Sequence, residues 1–223
     1  MLALLAGVIA GYQTSKMVTM QLVLLRPGEN STPLTKNLQE VAMKRHLEGL
    51  EALWSAGKAV AVGPMEGSDY AGLAVMDVNS ADEAKDLMKD DPFVKSGRLK
   101  VDVLPWMLEN TFRKGKKFLD FEKVYFGILE RPDKAPSYPN QKSEEMQAGH
   151  LANIQKMAKD GILAAAGPFL SNEKRRGVFV FCTNDLKVIQ KAVAVDPLIR
   201  AKRLELKLYP WWTSKGTVVP YKP

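Results

Sequence analysis

The chain has 223 residues, about twice a typical small domain, with 46% hydrophobic and 26% charged residues. Its net charge of +7 comes from scattered Lys and Arg whose densest run is Arg113 to Lys117, so the basicity reads as solvated surface and not as a nucleic-acid footprint. One cysteine, Cys182, and two histidines, His46 and His150, exclude an intrachain disulfide and a Cys-based or His-rich metal site. No G-x-G-x-x-G, P-loop, H-E-x-x-H or G-x-S-x-G motif supports nucleotide binding, zinc hydrolysis or serine-hydrolase chemistry.

Met1 to Ala10 is almost wholly apolar and is followed by polar Gln13 to Lys16. Such a run is too short to span a bilayer. It fits two readings: the core of an export signal whose basic flank is missing, or a short helix packed on the fold. The first places the protein in the periplasm or outside the cell, the second in the cytoplasm.

Met20 to Leu25 is an apolar run closed by Arg26-Pro27 and reads as a strand. After a Pro/Ser/Thr/Asn loop, Asn37 to Ala56 has helical periodicity, with Leu38, Val41, Ala42, Leu50 and Leu53 on one side and Gly57 as C-terminal cap. Ala59 to Val62 and Ala71 to Asp77 are short strands. Ser80 to Lys89 is a helix, with Ser80 as N-cap and Glu83 at the capping-box position. Asp91-Pro92 fits a cap with proline at the first helical position, and Leu99 to Trp106 is the last strand. Asn110 to Phe121 carries no buried pattern and reads as a linker.

The same order then recurs. Arg26-Pro27 returns as Arg131-Pro132, His46-Leu47 as His150-Leu151, Gly63-Pro64 as Gly167-Pro168, Asp91-Pro92 as Asp196-Pro197, Arg98-Leu99 as Arg203-Leu204 and Pro105-Trp106 as Pro210-Trp211. The offset is 105 at Arg26, 104 at His46 and 105 again between Gly72 and Gly177, so single-residue insertions are expected in loops. The boundaries are 1–16 as N-terminal extension, 17–110 as repeat 1, 111–121 as linker, 122–215 as repeat 2 and 216–223 as tail. Strand, helix, strand, strand, helix, strand is the ferredoxin-like α+β arrangement. Its helices cover one face of the sheet, so the bare faces of the two repeats are expected to pack on each other as a pseudo-dimer within one chain.

Both histidines fall on the inner face of a long helix. With Leu38 as zero, Ala42 falls at about 40°, Leu53 at about 60°, His46 at about 80° and Leu50 at about 120°. His150 lies likewise among Met146, Ile154, Met157 and Ala158. An imidazole there needs hydrogen-bond partners and suits either a structural role or acid–base work. Asp91 and Asp196 sit at the end of the domain from which each histidine is approached, so either carboxylate can orient an imidazole while capping a helix turn. Arg98 and Arg203 open the last strands, with Lys95 and Arg200 also matching, and are candidates for holding an anionic ligand or for ordinary surface charge.

The string of His-Leu, Gly eleven residues on, Ala-Gly-Pro, Asp-Pro, Arg-Leu and Pro-Trp resembles the YCII-related family across about residues 18–108 and 123–213. Repeat 2, with Ala166-Gly167-Pro168-Phe169 and Tyr209-Pro210-Trp211-Trp212, looks the more typical, whereas repeat 1 departs at Met65 to Tyr70. The resemblance implies a dimeric α/β barrel and a His–Asp active site, here His46 with Asp91 and His150 with Asp196; an enzyme of this kind is expected to need no metal or organic cofactor. Exported bacterial members look especially similar, and one relative eliminates chloride from a chlorinated hydroxyhydroquinone.

Three functions follow as expectations: a cofactor-independent lyase or isomerase acting on a small aromatic or lactone-like molecule, a non-catalytic small-molecule-binding protein, and an interaction module. The expected partner is a small ligand, without nucleic acid or a membrane span, and further oligomerisation is compatible with the pattern. Because the repeat starts only near Val18, deleting residues 1–16 is expected to leave the cooperative melting transition in place, as circular dichroism will check.

Overall fold

The computed structural model describes residues 17–67, 69–109, 111–172 and 174–220, so both readings of the N-terminal stretch lie outside the described residues. Repeat 1 comprises β1 (Met17–Pro27), α1 (Lys36–Ser55), β2 (Ala59–Pro64), β3 (Gly72–Met76), α2 (Ala81–Met88), α3 (Pro92–Lys95) and β4 (Leu99–Glu109). Repeat 2 comprises β5 (Phe121–Glu130), α4 (Asn140–Lys159), β6 (Leu163–Pro168), β7 (Arg175–Phe181), α5 (Leu186–Val193), α6 (Pro197–Arg200) and β8 (Glu205–Ser214). Each forms an antiparallel four-stranded sheet, ordered β2-β3-β1-β4 and β6-β7-β5-β8.

Alternation along the strands sorts the apolar side chains into layers. Met20, Leu22 and Leu24 of β1 join Trp106, Phe126, Ile128, Val178, Val180 and Trp211 in one core between the sheets. Val23 and Leu25 turn the other way, into the core beneath the helices of repeat 1. Leu129, Phe179 and Phe181 do the same under the helices of repeat 2. The bare faces thus pack on each other, forming a barrel with helices outside.

The barrel closes where β2 runs beside β8 and β4 beside β6. Glu66 N donates to the Pro210 carbonyl and Leu170 N to the Pro105 carbonyl, each at 2.9 Å. Two glycines make this approach possible. A Cβ on Gly63 would lie 1.7 Å from the Trp212 carbonyl oxygen, and one on Gly167 would lie 1.8 Å from that of Met107. The Gly-Pro pairs, which in the sequence read as shaping a strand end, therefore mark the seam between repeats. Beyond the apolar interior the facing side chains become polar. Arg26 grips Asp102 with two hydrogen bonds of 2.7 and 3.1 Å, and Arg175 of the other repeat stands 3.8 Å from the same carboxylate. Tyr70 meets Tyr209 edge to face, and Lys207 pairs with Glu130 at 2.8 Å.

Four local expectations are corrected. The linker does carry a buried residue: Phe118 packs against Trp54 in the core of repeat 1. The apolar stripe of α1 is only partly buried, at Leu50 and Leu53 in its C-terminal half, which pack against the core; Leu38 is 54% and Val41 44% exposed. A twenty-residue helix spans about 30 Å, whereas the six-residue β2 beneath it spans about 20 Å, so the helix overhangs. One insertion falls inside a strand, as a bulge that sets Leu129 opposite Gly177 but Glu130 opposite Arg175. Ser80 caps α2 by accepting from Glu83 N, yet the Glu83 carboxylate reaches Asn79 N and Lys58 and not Ser80 N.

Gly63→Ala and Gly167→Ala each push a methyl group into a backbone carbonyl of the other repeat. Each is expected to destabilise the protein by about 1–3 kcal/mol, the usual cost of overpacking. Gly49→Ala, where nothing lies within 4 Å of the added carbon, is expected to be neutral or stabilising. Denaturant titration of the three variants checks this.

Candidate active site

Asp91 and Asp196 build the two sites around themselves. Each precedes a proline that starts a four-residue helix, α3 or α6, and caps it. Asp91 Oδ1 accepts from Phe93 N and Val94 N at 2.9 and 3.2 Å. Asp196 Oδ1 accepts from Leu198 N and Ile199 N at 2.9 and 3.3 Å. Each carboxylate so fixed turns its second oxygen to a histidine on the long helix of its own repeat. His46 Nδ1 lies 2.5 Å from Asp91 Oδ2, and His150 Nδ1 lies 2.7 Å from Asp196 Oδ2.

This geometry assigns the proton. A carboxylate only accepts, so Nδ1 carries the hydrogen and Nε2 of a neutral ring is left with its lone pair. Neither Nε2 has a hydrogen-bond partner among the described residues, and neither is among the side-chain nitrogens fully buried without one. Neither dyad belongs to the core between the sheets. His46 meets Phe93 edge to face at 5.5 Å, and His150 stacks on Phe179 at 6.0 Å. The second dyad is the more enclosed, with side-chain exposures of 9% and 0% for His150 and Asp196 against 13% and 7% for His46 and Asp91. Close packing contributes: a Cβ on Gly149 would lie 2.6 Å from Pro197 Cγ, so glycine lets α4 approach α6. Repeat 1 has Arg45 at the matching place.

The two strand-opening arginines hydrogen-bond to groups outside the dyads. Arg98 donates to the Thr32 carbonyl, and Arg203 to Ser143 Oγ at 2.8 Å. Each thus ties the last strand of its repeat to the region where the long helix begins. Arg203 also lies 6.0 Å from the ring of Tyr138, which Lys142 approaches to 5.0 Å. Tyr138, Lys142, Met146, Val195, Pro197, Arg200 and Ala201 line a groove of about 340 Å³ beside the second dyad. Tyr138 and Lys142 escape sequence reasoning because the matching positions in repeat 1 are Leu34 and Leu38, so comparing the repeats does not single them out.

Burial alone would push the Asp196 carboxyl up, but the hydrogen bond and charge of His150, with the amides of Ile199 and Leu198, together hold it below its ordinary 3.8. A depressed carboxyl contributes stability that is fully present above its unfolded-state value and is lost as pH falls through the folded one. Asp196→Asn keeps a competent N-cap and removes the titration. The stability gap between wild type and this variant is therefore expected to be constant at mildly acidic pH and to shrink below about pH 4. Urea titrations between pH 6 and 2.5 measure it, and a gap that stays constant over the whole range would refute the assignment.

The fold and sites can be set beside known proteins. Residues 20–107 match the model of the YCII-related domain, so the match falls on repeat 1. None of the curated proteins compared matches the chain. Among solved structures, a haem-binding protein from Thermus thermophilus is 11% identical, with 91% of this chain and 95% of that chain covered and a TM-score of 0.54. A mutant chlorite dismutase from Candidatus Nitrospira defluvii is 7% identical, with 91% and 92% covered and a TM-score of 0.60. At such identities the likeness is one of fold, the dimeric α+β barrel. The chain therefore carries a YCII-related domain over residues 20–107, followed by a second repeat of the same fold.

Proposed function

We propose that the protein is a cofactor-independent acid–base enzyme, of lyase or isomerase type, that acts on a small molecule through its His–Asp dyads. The observation that carries this reading is the duplicated constellation itself. In both repeats one carboxylate oxygen is held by two backbone amides and the other faces Nδ1 of a histidine. Nε2 takes a proton from the substrate, and the imidazolium so formed is stabilised by the carboxylate already aligned with Nδ1. The proton then returns to another atom of the substrate, giving an isomer, or protonates a leaving group, giving elimination. Acid–base help of this kind is worth typically about 10²–10⁴-fold in rate.

A second reading, ligand binding without turnover, draws on the enclosure of His150 against Phe179. Haem, named for one protein of similar fold, is not carried over. The flat face of His150 is occupied by Phe179, His46 abuts Phe93, and Trp106, Trp211 and Phe126 fill the space between the sheets.

Thermal-shift screening identifies a ligand, since a molecule that binds only the folded state raises apparent stability. With that molecule as substrate, His46→Ala combined with His150→Ala is expected to abolish turnover in a protein that still folds, with some stability lost where Asp196 is left without its imidazole partner. A clear loss of stability with turnover preserved would assign the histidines a structural role, and binding without turnover in the wild type would favour the second reading.

A further inference from the structure

The two dyads are alike, but their surroundings are not. Around the second, Lys142 and Arg203 flank the ring of Tyr138, and Arg200 stands on the same groove. None of these three cations has a carboxylate partner among the described residues, whereas Lys156, Lys174 and Lys207 of the same repeat are each paired with one. No acidic residue lines the groove, and Met146, Val195 and Pro197 give it an apolar wall. Met146 lies one helical turn before His150, and Pro197 directly follows Asp196, so the groove is walled by neighbours of the dyad, while His150 and Asp196 themselves do not line it. The chain also holds Lys202, just before Arg203, in the left-handed region at φ 53°, where repeat 1 places Gly97 at φ 71°.

In repeat 1 the matching positions are Leu34, Leu38, Ala42, Asp90, Pro92, Lys95 and Ser96. Tyrosine and lysine have become two leucines, and an aspartate has entered. Leu38 is 54% exposed, so the surface beside His46 has apolar side chains where repeat 2 has Tyr138 and Lys142, and Asp90 stands in sequence near the one matching cation, Lys95.

We propose that the groove beside His150 and Asp196 recognises a small carboxylate with an apolar body, that Lys142 and Arg200 bind its charge, and that the site at His46 does not share this preference. Unpaired cations over an apolar wall suit such a ligand: the carboxylate gains charge-assisted hydrogen bonds while its body lies along Met146 and Pro197. The proposal rests on the acid–base reading only for what the ligand undergoes once bound.

Two histidines give two imidazole Cε1–H signals in a proton spectrum, so each dyad can be observed separately; His46→Gln assigns them. Benzoate, acetate and inorganic phosphate are titrated at constant ionic strength and pH, with benzyl alcohol as the neutral counterpart of benzoate. Benzoate is expected to shift the His150 signal saturably, benzyl alcohol to leave it in place, and the His46 signal to move little. Lys142→Met combined with Arg200→Met is expected to weaken binding by on the order of tenfold or more, with the melting temperature unchanged. Equal shifts at both histidines, absence of a saturable shift at His150, or unchanged affinity in the double variant would overturn the proposal. Saturation by phosphate alone would overturn the carboxylate assignment. Failure of the titration would leave the acid–base reading standing, since that reading depends on turnover lost in the histidine variants, and turnover of a neutral molecule would support it without the carboxylate.

Discussion

Everything in this molecule depends on two places where backbone meets backbone across the repeats. A four-stranded sheet with helices on one side exposes a face that water cannot be allowed to keep. The second repeat covers it, but only if the edges come close enough to exclude solvent and to pair their hydrogen-bonding groups. Glycine at 63 and 167 permits that approach. Proline at 105 and 210 suits the same seam, because each offers the other repeat a carbonyl acceptor and has no N–H of its own to leave unpaired. Trp106 and Trp211 then fill the interior just behind. The glycines, prolines and tryptophans are thus parts of one device used twice.

The dyads depend on a second economy. One aspartate both ends a loop and orients a histidine. Its first oxygen is fixed by the amides of the helix it caps, so the second is directed without help from any other side chain. Orientation of the imidazole is therefore set by backbone, the least adjustable part of the structure. Removing the carboxylate would free the ring and also unravel a helix turn, while an isosteric amide separates these two effects. The arrangement also makes the site local: neither dyad borrows a residue from the other repeat, although neither repeat would keep its sheet covered alone.

Much of this was legible in the sequence. Repetition fixed the order of elements, because the motifs that recur are those with special backbone demands. The Asp-Pro pairs announced their caps, and helical periodicity placed both histidines inward. What escaped needed distances between parts far apart in the chain. Nothing local distinguishes Gly63 as a seam residue from a glycine ending a strand. Leu38 and Val41 continue an apolar stripe that outruns the sheet beneath it, since periodicity measures direction and not length of cover. Phe118 lies within a basic stretch whose composition suggests a solvated linker, and its burial follows only from where Trp54 comes to rest.

Comparison of the repeats has one further limit. It finds what both copies keep and is blind to what one copy has alone. Tyr138 and Lys142 answer to Leu34 and Leu38, and Gly149 to Arg45, so the residues that make the second site distinctive leave no repeated trace. This asymmetry has a physical consequence. A homodimer of identical chains must present the same groove twice, because any substitution is copied by symmetry. Fusion of the repeats removes that constraint while retaining the shared sheet interface. The shared barrel supports both dyads, so the surroundings of His46 and His150 are free to differ in charge while the dyads stay the same.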